Sequence, residues 1–256
     1  MGALCQNGPI YISGPGAAGS SLFEREHHRR IATVLAAFDA ELLAAHGCLF
    51  GGDTAITLRY GEYRESVDID FLVSDRAGYR AIRQLLAADG IQGIARQGAT
   101  LTPARDLWAD GYGVRAAVTV DDIPIKFEII VEGWLTLDTP SPDDKVCGVA
   151  TLTPLDMAAT KLLANSYRWA DSATHSRDLI DLAMMSLSKA LLGQALNKAR
   201  AAYGDSVERN LAKAVESLRE QPNRLDRHLE ALAMTIPKVL LWKRIRALDP
   251  HVELLR

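Results

Sequence analysis

The stretch LFGGDTAITLRYGEYRESVDIDFLVSD, residues 49–75, decides the fold that we expect for this chain. Near its end apolar residues alternate with acids, in the order Val67, Asp68, Ile69, Asp70, Phe71 and, after Leu72, Val73. A period of two predicts a half-buried strand with both carboxylates on one face. Residues two apart in a strand lie roughly 6–7 Å apart, and carboxylates at that spacing can converge on metal ions held about 3.5–4 Å apart.

A glycine pair, Gly51 and Gly52, stands just upstream of this strand. Glycines let backbone N–H groups approach a phosphate closely, and a helix that follows adds the positive end of its dipole. We expect that helix over Thr54–Tyr60, with the Thr54 hydroxyl also facing the phosphate. An Asp-x-Asp pair is equally common as a solvated strand edge with two surface acids, and the dipeptide alone leaves this alternative open.

Composition restricts the classes of function. The chain has 256 residues, 48% hydrophobic and 24% charged, with a formal net charge of -3, as in ordinary globular proteins. A nucleic-acid surface would therefore be a local patch. Three scattered cysteines, Cys5, Cys48 and Cys147, suit a reducing compartment and lack metal-ligand spacing. Neither a membrane-spanning run of about 20 apolar residues nor a signal peptide is evident, so we expect a cytoplasmic protein.

The order of elements predicts an α+β fold, with a mixed β-sheet flanked by helices and followed by a C-terminal helical bundle. We expect a flexible lead over 1–20, a core domain over 21–145 and a helical domain over 146–256. The first helix is expected to run from a cap at Ser20 or Ser21, with Glu24 completing a capping box, to about His46. Its basic cluster, residues 27–30, is either a solvated face or a contact to a polynucleotide backbone.

A third acid comes from a predicted hairpin. Two strands, Tyr112–Val120 and Ile123–Val131, are joined at Asp121-Asp122. In the second strand Lys126 and Glu128 alternate with apolar residues, so Glu128 can be a third carboxylate beside Asp68 and Asp70. The alternative is that both are ordinary residues of the solvent face.

Two later helices contribute the remaining candidates. Thr153 predicts a helix cap, with Pro154 at the first position and Asp156 in the first turn. Lys161 lies on this helix and would steady a leaving pyrophosphate, unless it is a surface lysine. Another helix begins at Arg177, with Asp178 and Asp181 on one face; Arg177 and Asp178 could merely cap it, and Asp181 could hold a basic residue.

Four motifs in order resemble the AbiEii/AbiGii toxin-type nucleotidyltransferases of the DNA-polymerase-β-like superfamily. They are GGDTAITLRYGEYRESVDIDF at 51–71, Lys126-Phe127-Glu128, the run 156–161 within PLDMAATKLLA, and RDLIDL at 177–182. The resemblance covers roughly residues 49–187. It implies a nucleotidyltransferase core with a C-terminal helical domain. Members of the family resemble toxins of toxin–antitoxin or phage-defence pairs that add nucleotides to tRNA or bind GTP.

The resemblance also implies roles for individual residues. Asp68 and Asp70 would be metal ligands, with Glu128 as the third carboxylate and two Mg²⁺ ions held among them. Gly51, Gly52 and Thr54 would lie at the phosphates of the nucleoside triphosphate. Lys161 would bind the nucleotide, and Asp178 would contribute a polar group to the active site.

The chain departs from the family pattern at Asp53, where members usually have Gly or Ser before the Thr. An acid here would repel a triphosphate unless it points away or contacts a metal. Our leading hypothesis is a Mg²⁺-dependent transfer of NMP from an NTP to a hydroxyl of RNA (tRNA) or protein, in a protein with a possible cognate antitoxin. The alternative is a nucleotide-binding regulatory module without transfer. A sugar-nucleotide glycosyltransferase would need a larger α/β domain before the motif.

Overall fold

A computed structural model of the chain describes residues 22–249, except for the side chain of Pro222. The predicted lead over 1–20 and the capping residues Ser20 and Ser21 lie outside the described residues. The strands are β1 Leu49–Gly51, β2 Ile69–Val73, β3 Thr102–Ala109, β4 Gly113–Val120, β5 Ile123–Val131, β6 Lys145–Val146 and β7 Val149–Ala150. The helices are α1 Glu26–Ala37, α2 Ala40–Ala45, α3 Gly52–Arg59, α4 Arg76–Asp89, α5 Pro154–Arg168, α6 Arg177–Met184, α7 Lys189–Tyr203, α8 Ser206–Glu220, α9 Pro222–Ala231 and α10 Lys238–Arg246.

A five-stranded mixed sheet forms the centre of the molecule, in the order β1-β2-β5-β4-β3. Among the described strands of this sheet, β2 and β5 pair in parallel and the other pairs are antiparallel. The predicted hairpin of β4 and β5 is confirmed. Its turn places Asp121 at φ 51° and Asp122 at φ 61°, the left-handed pair that two-residue hairpin loops favour. The sequence pattern of residues 91–110 is ambiguous between irregular structure and a strand with a loop, and in the structure residues 102–109 of this segment form β3.

The aspartate strand is shorter than predicted. Strand β2 begins at Ile69, so Asp68 lies immediately before it, and the side chain of Val67 is 49% exposed. The apolar side chains that do face the core, Ile69 and Phe71, are fully buried. The strand nevertheless presents Asp70 on the face opposite to Phe71, as alternation requires.

The prediction of one long N-terminal helix is wrong. Helix α1 starts at Glu26 and ends at Ala37, and α2 follows after Phe38 and Asp39. Phe38 is extended and packs its ring between Phe71 and Phe127, at centroid distances of 5.7 and 5.3 Å. Asp39 then caps α2 by accepting from the Leu42 N–H at 2.9 Å. Burial of an aromatic ring and a new cap therefore outweigh continued helical periodicity.

The C-terminal helices pack onto the sheet domain as predicted. Thr153 caps α5 by accepting from the Asp156 N–H at 3.1 Å. Four apolar residues of α5 are fully buried, namely Met157, Ala158, Ala159 and Leu162. Helices α5 and α6 both contact α3. The α+β class with a following helical bundle is confirmed. Among the described residues, no helix combines the length and apolar content needed to cross a bilayer.

Candidate active site

A cleft of about 580 Å³ opens on the polar face of β2 and β5. Five of the predicted site residues line it, namely Gly52, Asp68, Asp70, Glu128 and Lys161. They come from α3, from the start of β2, from β5 and from α5. The fold therefore gathers residues separated by more than a hundred positions of sequence around one opening.

Two of the three candidate metal ligands are direct neighbours in the sheet. Strands β2 and β5 run parallel with Asp70 opposite Glu128, so both side chains lie on the same face. Lys126 Nζ is 2.7 Å from Glu128 Oε2 and 3.7 Å from Asp68 Oδ2. One ammonium thus contacts a carboxylate of β5 and the carboxylate of Asp68, which immediately precedes β2.

The pKa of Asp70 is changed by its position among these acids. Burial raises the pKa of its carboxyl to about 6, and the charges of Asp68, Asp53 and Glu128 add to the rise against the opposing effect of Lys126. Lys126 is one cation among three clustered carboxylates, so a divalent cation would neutralise the remaining negative charge, and carboxylate oxygens are the hard ligands that Mg²⁺ prefers. The residues present therefore fit a divalent metal.

The glycine pair is required by close packing. Gly52 has φ 69°, and a Cβ at this position would lie 2.7 Å from Asp70 Oδ2. At Gly51 a Cβ would lie 2.6 Å from Leu72 Cδ1 and 2.8 Å from Leu152 Cδ1. Gly51 is therefore covered by apolar side chains, while Gly52 brings the start of α3 against the Asp70 carboxylate.

The Thr54 hydroxyl does not face the cleft that we expected it to face. Its side chain is fully buried, and its Oγ1 lies 2.7 Å from the Oγ of Ser66, which does line the cleft. The Ser66 N–H donates to His28 Nε2 at 3.1 Å, and His28 Nδ1 lies 2.7 Å from Glu62 Oε1. This chain of contacts fixes the segment that leads into Asp68. Thr54 does not line the cleft, whereas Gly52 and Asp53 at the start of α3 do.

His28 is a residue whose role the sequence did not reveal. We assigned it to a solvated or polynucleotide-binding basic cluster, but the structure buries its side chain completely. Burial lowers the pKa of His28 despite the neighbouring Glu62. The neutral ring can accept from Ser66 through Nε2 while donating to Glu62 through Nδ1.

Lys161 is not a surface lysine. It is 4% exposed, and its Nζ contacts Asp53, Asp178 Oδ1 at 3.1 Å and Asp181 Oδ2 at 2.8 Å. One oxygen from each of these acids lies within 4.8 Å of the others, a spacing that would suit a metal ion. In this structure the Lys161 ammonium is the cation that these three acids share.

Asp178 acts below the cleft surface rather than at its lining. It is 3% exposed and accepts from Arg168 Nε at 2.6 Å and from Arg168 Nη2 at 2.8 Å. Burial favours the neutral acid, but Lys161 and the hydrogen bonds from Arg168 outweigh it and hold the pKa of Asp178 below its ordinary value. Asp178 therefore stays ionised and orients the Lys161 ammonium.

The sequence did not predict the buried pair of Arg64 and Asp181. It left open that Asp181 holds a basic residue, but it did not identify Arg64 as that residue. Arg64 donates from Nε to Asp181 Oδ1 and from Nη2 to Asp181 Oδ2, both at 2.8 Å. The Tyr63 hydroxyl donates to the same Oδ1 at 2.7 Å. The only sequence signal was the position of Arg64 inside the glycine-to-aspartate motif, which no periodicity identifies.

A comparison with known protein families shows to which family the chain belongs. The family described as nucleotidyl transferase AbiEii toxin, Type IV TA system, matches residues 33–249. The chain belongs to the AbiEii nucleotidyltransferase family. The match includes all four motifs and the helices that follow them, so the AbiEii chain is a nucleotidyltransferase.

Two solved structures that are similar to the chain come from Helicobacter pylori. JHP933 is 16% identical, with a TM-score of 0.54, and the alignment covers 90% of the AbiEii chain and 95% of JHP933. A second structure, described as a "putative nucleotidyltransferase" from H. pylori, is 15% identical, with a TM-score of 0.47 and coverage of 90% and 96%. At this identity JHP933 shows the fold alone. No curated protein matches the chain.

Proposed function

We propose that this AbiEii-family protein transfers NMP from a nucleoside triphosphate to a hydroxyl of an RNA such as tRNA, or of a protein, in a Mg²⁺-dependent reaction. The observation that carries the proposal is the register pairing of Asp70 with Glu128, beside Asp68, on the cleft face of the sheet. The acceptor hydroxyl gives its proton to solvent and its oxygen forms a bond to the α-phosphorus, while the bond from the α-phosphorus to the oxygen that bridges to the β-phosphate breaks and pyrophosphate leaves with that oxygen.

Asp68, Asp70 and Glu128 would hold the metal, with two Mg²⁺ ions as the expected number. Bound Mg²⁺ would supply neutralisation of charge on the phosphates and lower the pKa of the attacking hydroxyl. The chain's own part is to hold the three carboxylates in place. The sheet register fixes Asp70 and Glu128, and the contacts of Ser66 with Thr54 and His28 fix the segment before Asp68.

The phosphates would bind at the start of α3, where Gly52 and Asp53 line the cleft and the free N–H groups of the helix are suited to phosphate oxygens. Lys161, held by Asp178, supplies a positive charge for the leaving pyrophosphate.

The biological setting follows from the family. The matched family is described as a toxin of a Type IV toxin–antitoxin system, so we propose that the chain is the toxin of a toxin–antitoxin or phage-defence pair, with a cognate antitoxin as partner. The proposed substrates place its activity in the cytoplasm.

Transfer can be tested with labelled NTPs, Mg²⁺ and total tRNA or a protein extract. We expect labelling of an acceptor by the wild type and at least a ~1000-fold loss in Asp70→Asn and Glu128→Gln, in line with removal of an electrostatic catalytic group. Asp143→Asn removes an exposed acid outside the cleft and is the matched control. Equal labelling by wild type and Asp70→Asn would contradict the proposal.

Asp53 favours one other candidate, a nucleotide-binding regulatory module without transfer, because an acid lies where phosphate would bind. Pyrophosphate release separates the two candidates. Release that depends on Asp68 identifies a transferase, whereas NTP binding without release in the presence of every acceptor tested identifies the regulatory module.

A further inference from the structure

Three cations that line the cleft meet on a single carboxylate, that of Asp53. Lys161 Nζ contacts its Oδ1, while Arg64 Nη2 and Arg177 Nε lie 3.1 and 3.2 Å from its Oδ2. All four residues belong to the lining of the cleft. Asp53 therefore lies where three positively charged side chains of the cleft converge, in a lining that is otherwise rich in acids.

The cations do not depend equally on Asp53. Arg64 and Lys161 are buried and have other acidic partners, since both contact Asp181 and Lys161 also contacts Asp178. Arg177 differs. Its side chain is 40% exposed, and its buried Nε is close to Asp53 without the alignment of a hydrogen bond. A better placed acceptor in the cleft would satisfy that donor.

The same place is suited to phosphate. Asp53 is the second residue of α3 and follows the glycine pair, so its carboxylate lies beside the free N–H groups of the helix start. Helix N-termini combined with lysine and arginine are the groups with which proteins bind phosphates. A triphosphate brings more negative charge and more acceptor oxygens to these donors than one carboxylate does.

We propose that Asp53 is an internal anion that occupies the triphosphate subsite, and that a nucleoside triphosphate must displace it to bind Lys161, Arg64 and Arg177. This inference rests on the proposed function, because it names the phosphate subsite of the same cleft. Asp53 then weakens substrate binding and restrains an enzyme whose activity is toxic.

The ionisation of Asp53 is consistent with this role. Burial favours the neutral acid, but Lys161, Arg64 and Arg177 outweigh it and hold the pKa of Asp53 below its ordinary range. At neutral pH the competitor is therefore a charged carboxylate. A purely structural role for Asp53, neutralising buried cations, predicts the opposite effect of its removal, because loss of the acid would loosen the cations and weaken phosphate binding.

The test is binding of inorganic tripolyphosphate in EDTA, measured by calorimetry on the full chain. Without divalent cations the readout depends on neither metal binding nor transfer. We expect Asp53→Asn to bind at least about tenfold more tightly than the wild type, equivalent to about 1.4 kcal/mol. Glu65→Gln is the matched control, since Glu65 is an exposed acid of the same cleft lining. We expect its affinity to stay within about twofold of the wild type, because a solvated charge is well screened.

A second variant locates the subsite and covers the case in which Asp53→Asn does not fold. Arg177→Gln changes a half-exposed side chain, and we expect it to weaken tripolyphosphate binding at least fivefold, a loss that follows from removing one charged donor. Unchanged or weaker binding by a folded Asp53→Asn, or unchanged binding by Arg177→Gln, would overturn the inference. Tighter binding by Asp53→Asn in a protein that labels no acceptor would support the inference and count against the transfer reaction.

Discussion

Asp70 owes its place in the cleft to residues far from it in sequence. Glu128 lies beside it across a parallel strand pair, and Gly52 packs against its carboxylate. Alternation of apolar and acidic residues was enough to predict Asp70 and Glu128 on polar strand faces, but Asp68, which we also expected on the strand, lies immediately before β2. It could not predict the burial of Thr54 or the pairing of Ser66 with His28, because such contacts join residues that no local periodicity relates.

Replacing Gly52 by Ala tests the close approach of α3 to Asp70. Both Gly52 and Gly61 have positive φ, 69° and 93°, but only at Gly52 would a Cβ meet Asp70. We expect each Ala variant to lose about 1–2 kcal/mol of folding free energy through backbone strain. Gly52→Ala alone should also lose ~100-fold in transfer rate, because the carboxylate is displaced. Equal rates in the two variants would show that Asp70 does not need this packing.

His28 gives a prediction for pH. The pKa of His28 is lowered in the folded state, so below its unfolded value of about 6.5 the unfolded chain binds more protons and stability falls with falling pH. The pKa of Asp70 is raised to about 6 in the folded state. Between its unfolded value and pH 6 the folded chain therefore binds more protons at Asp70, and this group makes stability rise with falling pH. The comparison must therefore be between wild type and His28→Asn, in which the contribution of Asp70 cancels.

We expect the free energy of unfolding of the wild type to fall relative to that of His28→Asn as pH drops from 7 to 5. The expected change in the difference between the two free energies of unfolding is about 1.4 kcal/mol for each unit by which the pKa of His28 is lowered. Urea unfolding at each pH measures it. A difference between the two proteins that is constant across this range would contradict the buried neutral role of His28.

At the scale of elements, the segment between α3 and β2 is tied to α6. Arg64 and Tyr63 both donate to Asp181, which is fully buried. Sequence patterns predicted α5, α6 and the hairpin because caps and alternation are local signals. The break between α1 and α2 could not be read in this way, because it depends on a pocket for Phe38 that β2 and β5 create.

Asp181→Asn tests the tie between these elements. Removing the acid leaves Arg64 as a buried cation with a weakened partner, and we expect a loss of about 3–5 kcal/mol of folding free energy. Asp226→Asn breaks the exposed pair with Lys238 and should cost less than about 1 kcal/mol. Urea unfolding of both variants measures these values, and similar losses would mean that the Arg64 pair is not desolvated.

At the scale of the whole molecule, the sheet and the C-terminal helices share the cleft. Lys161 and Arg177 come from α5 and α6, while Asp53 and the three carboxylates come from the sheet side. Our sequence-based boundary between 145 and 146 remains a prediction about domains, and Leu152, just beyond it, covers Gly51 in the core.

This shared core predicts that the two segments unfold together. Hydrogen exchange in increasing urea should give the same opening free energy for amides of β5 and of α5, because ion pairs and apolar contacts cross between them. An opening free energy for the amides of α5 that is several kcal/mol lower than that for the amides of β5 would show two independent units. It would support a domain boundary near residue 145.

The central claim is that Asp68, Asp70 and Glu128 form the metal site, separate from the acids around Lys161. Anomalous diffraction from a crystal soaked with Mn²⁺ and a nucleoside triphosphate tests it most directly. We predict anomalous peaks at ligand distance from Asp70 and Glu128, and the loss of at least one of them in Glu128→Gln. A peak among Asp53, Asp178 and Asp181, with none beside Asp70, would contradict the account.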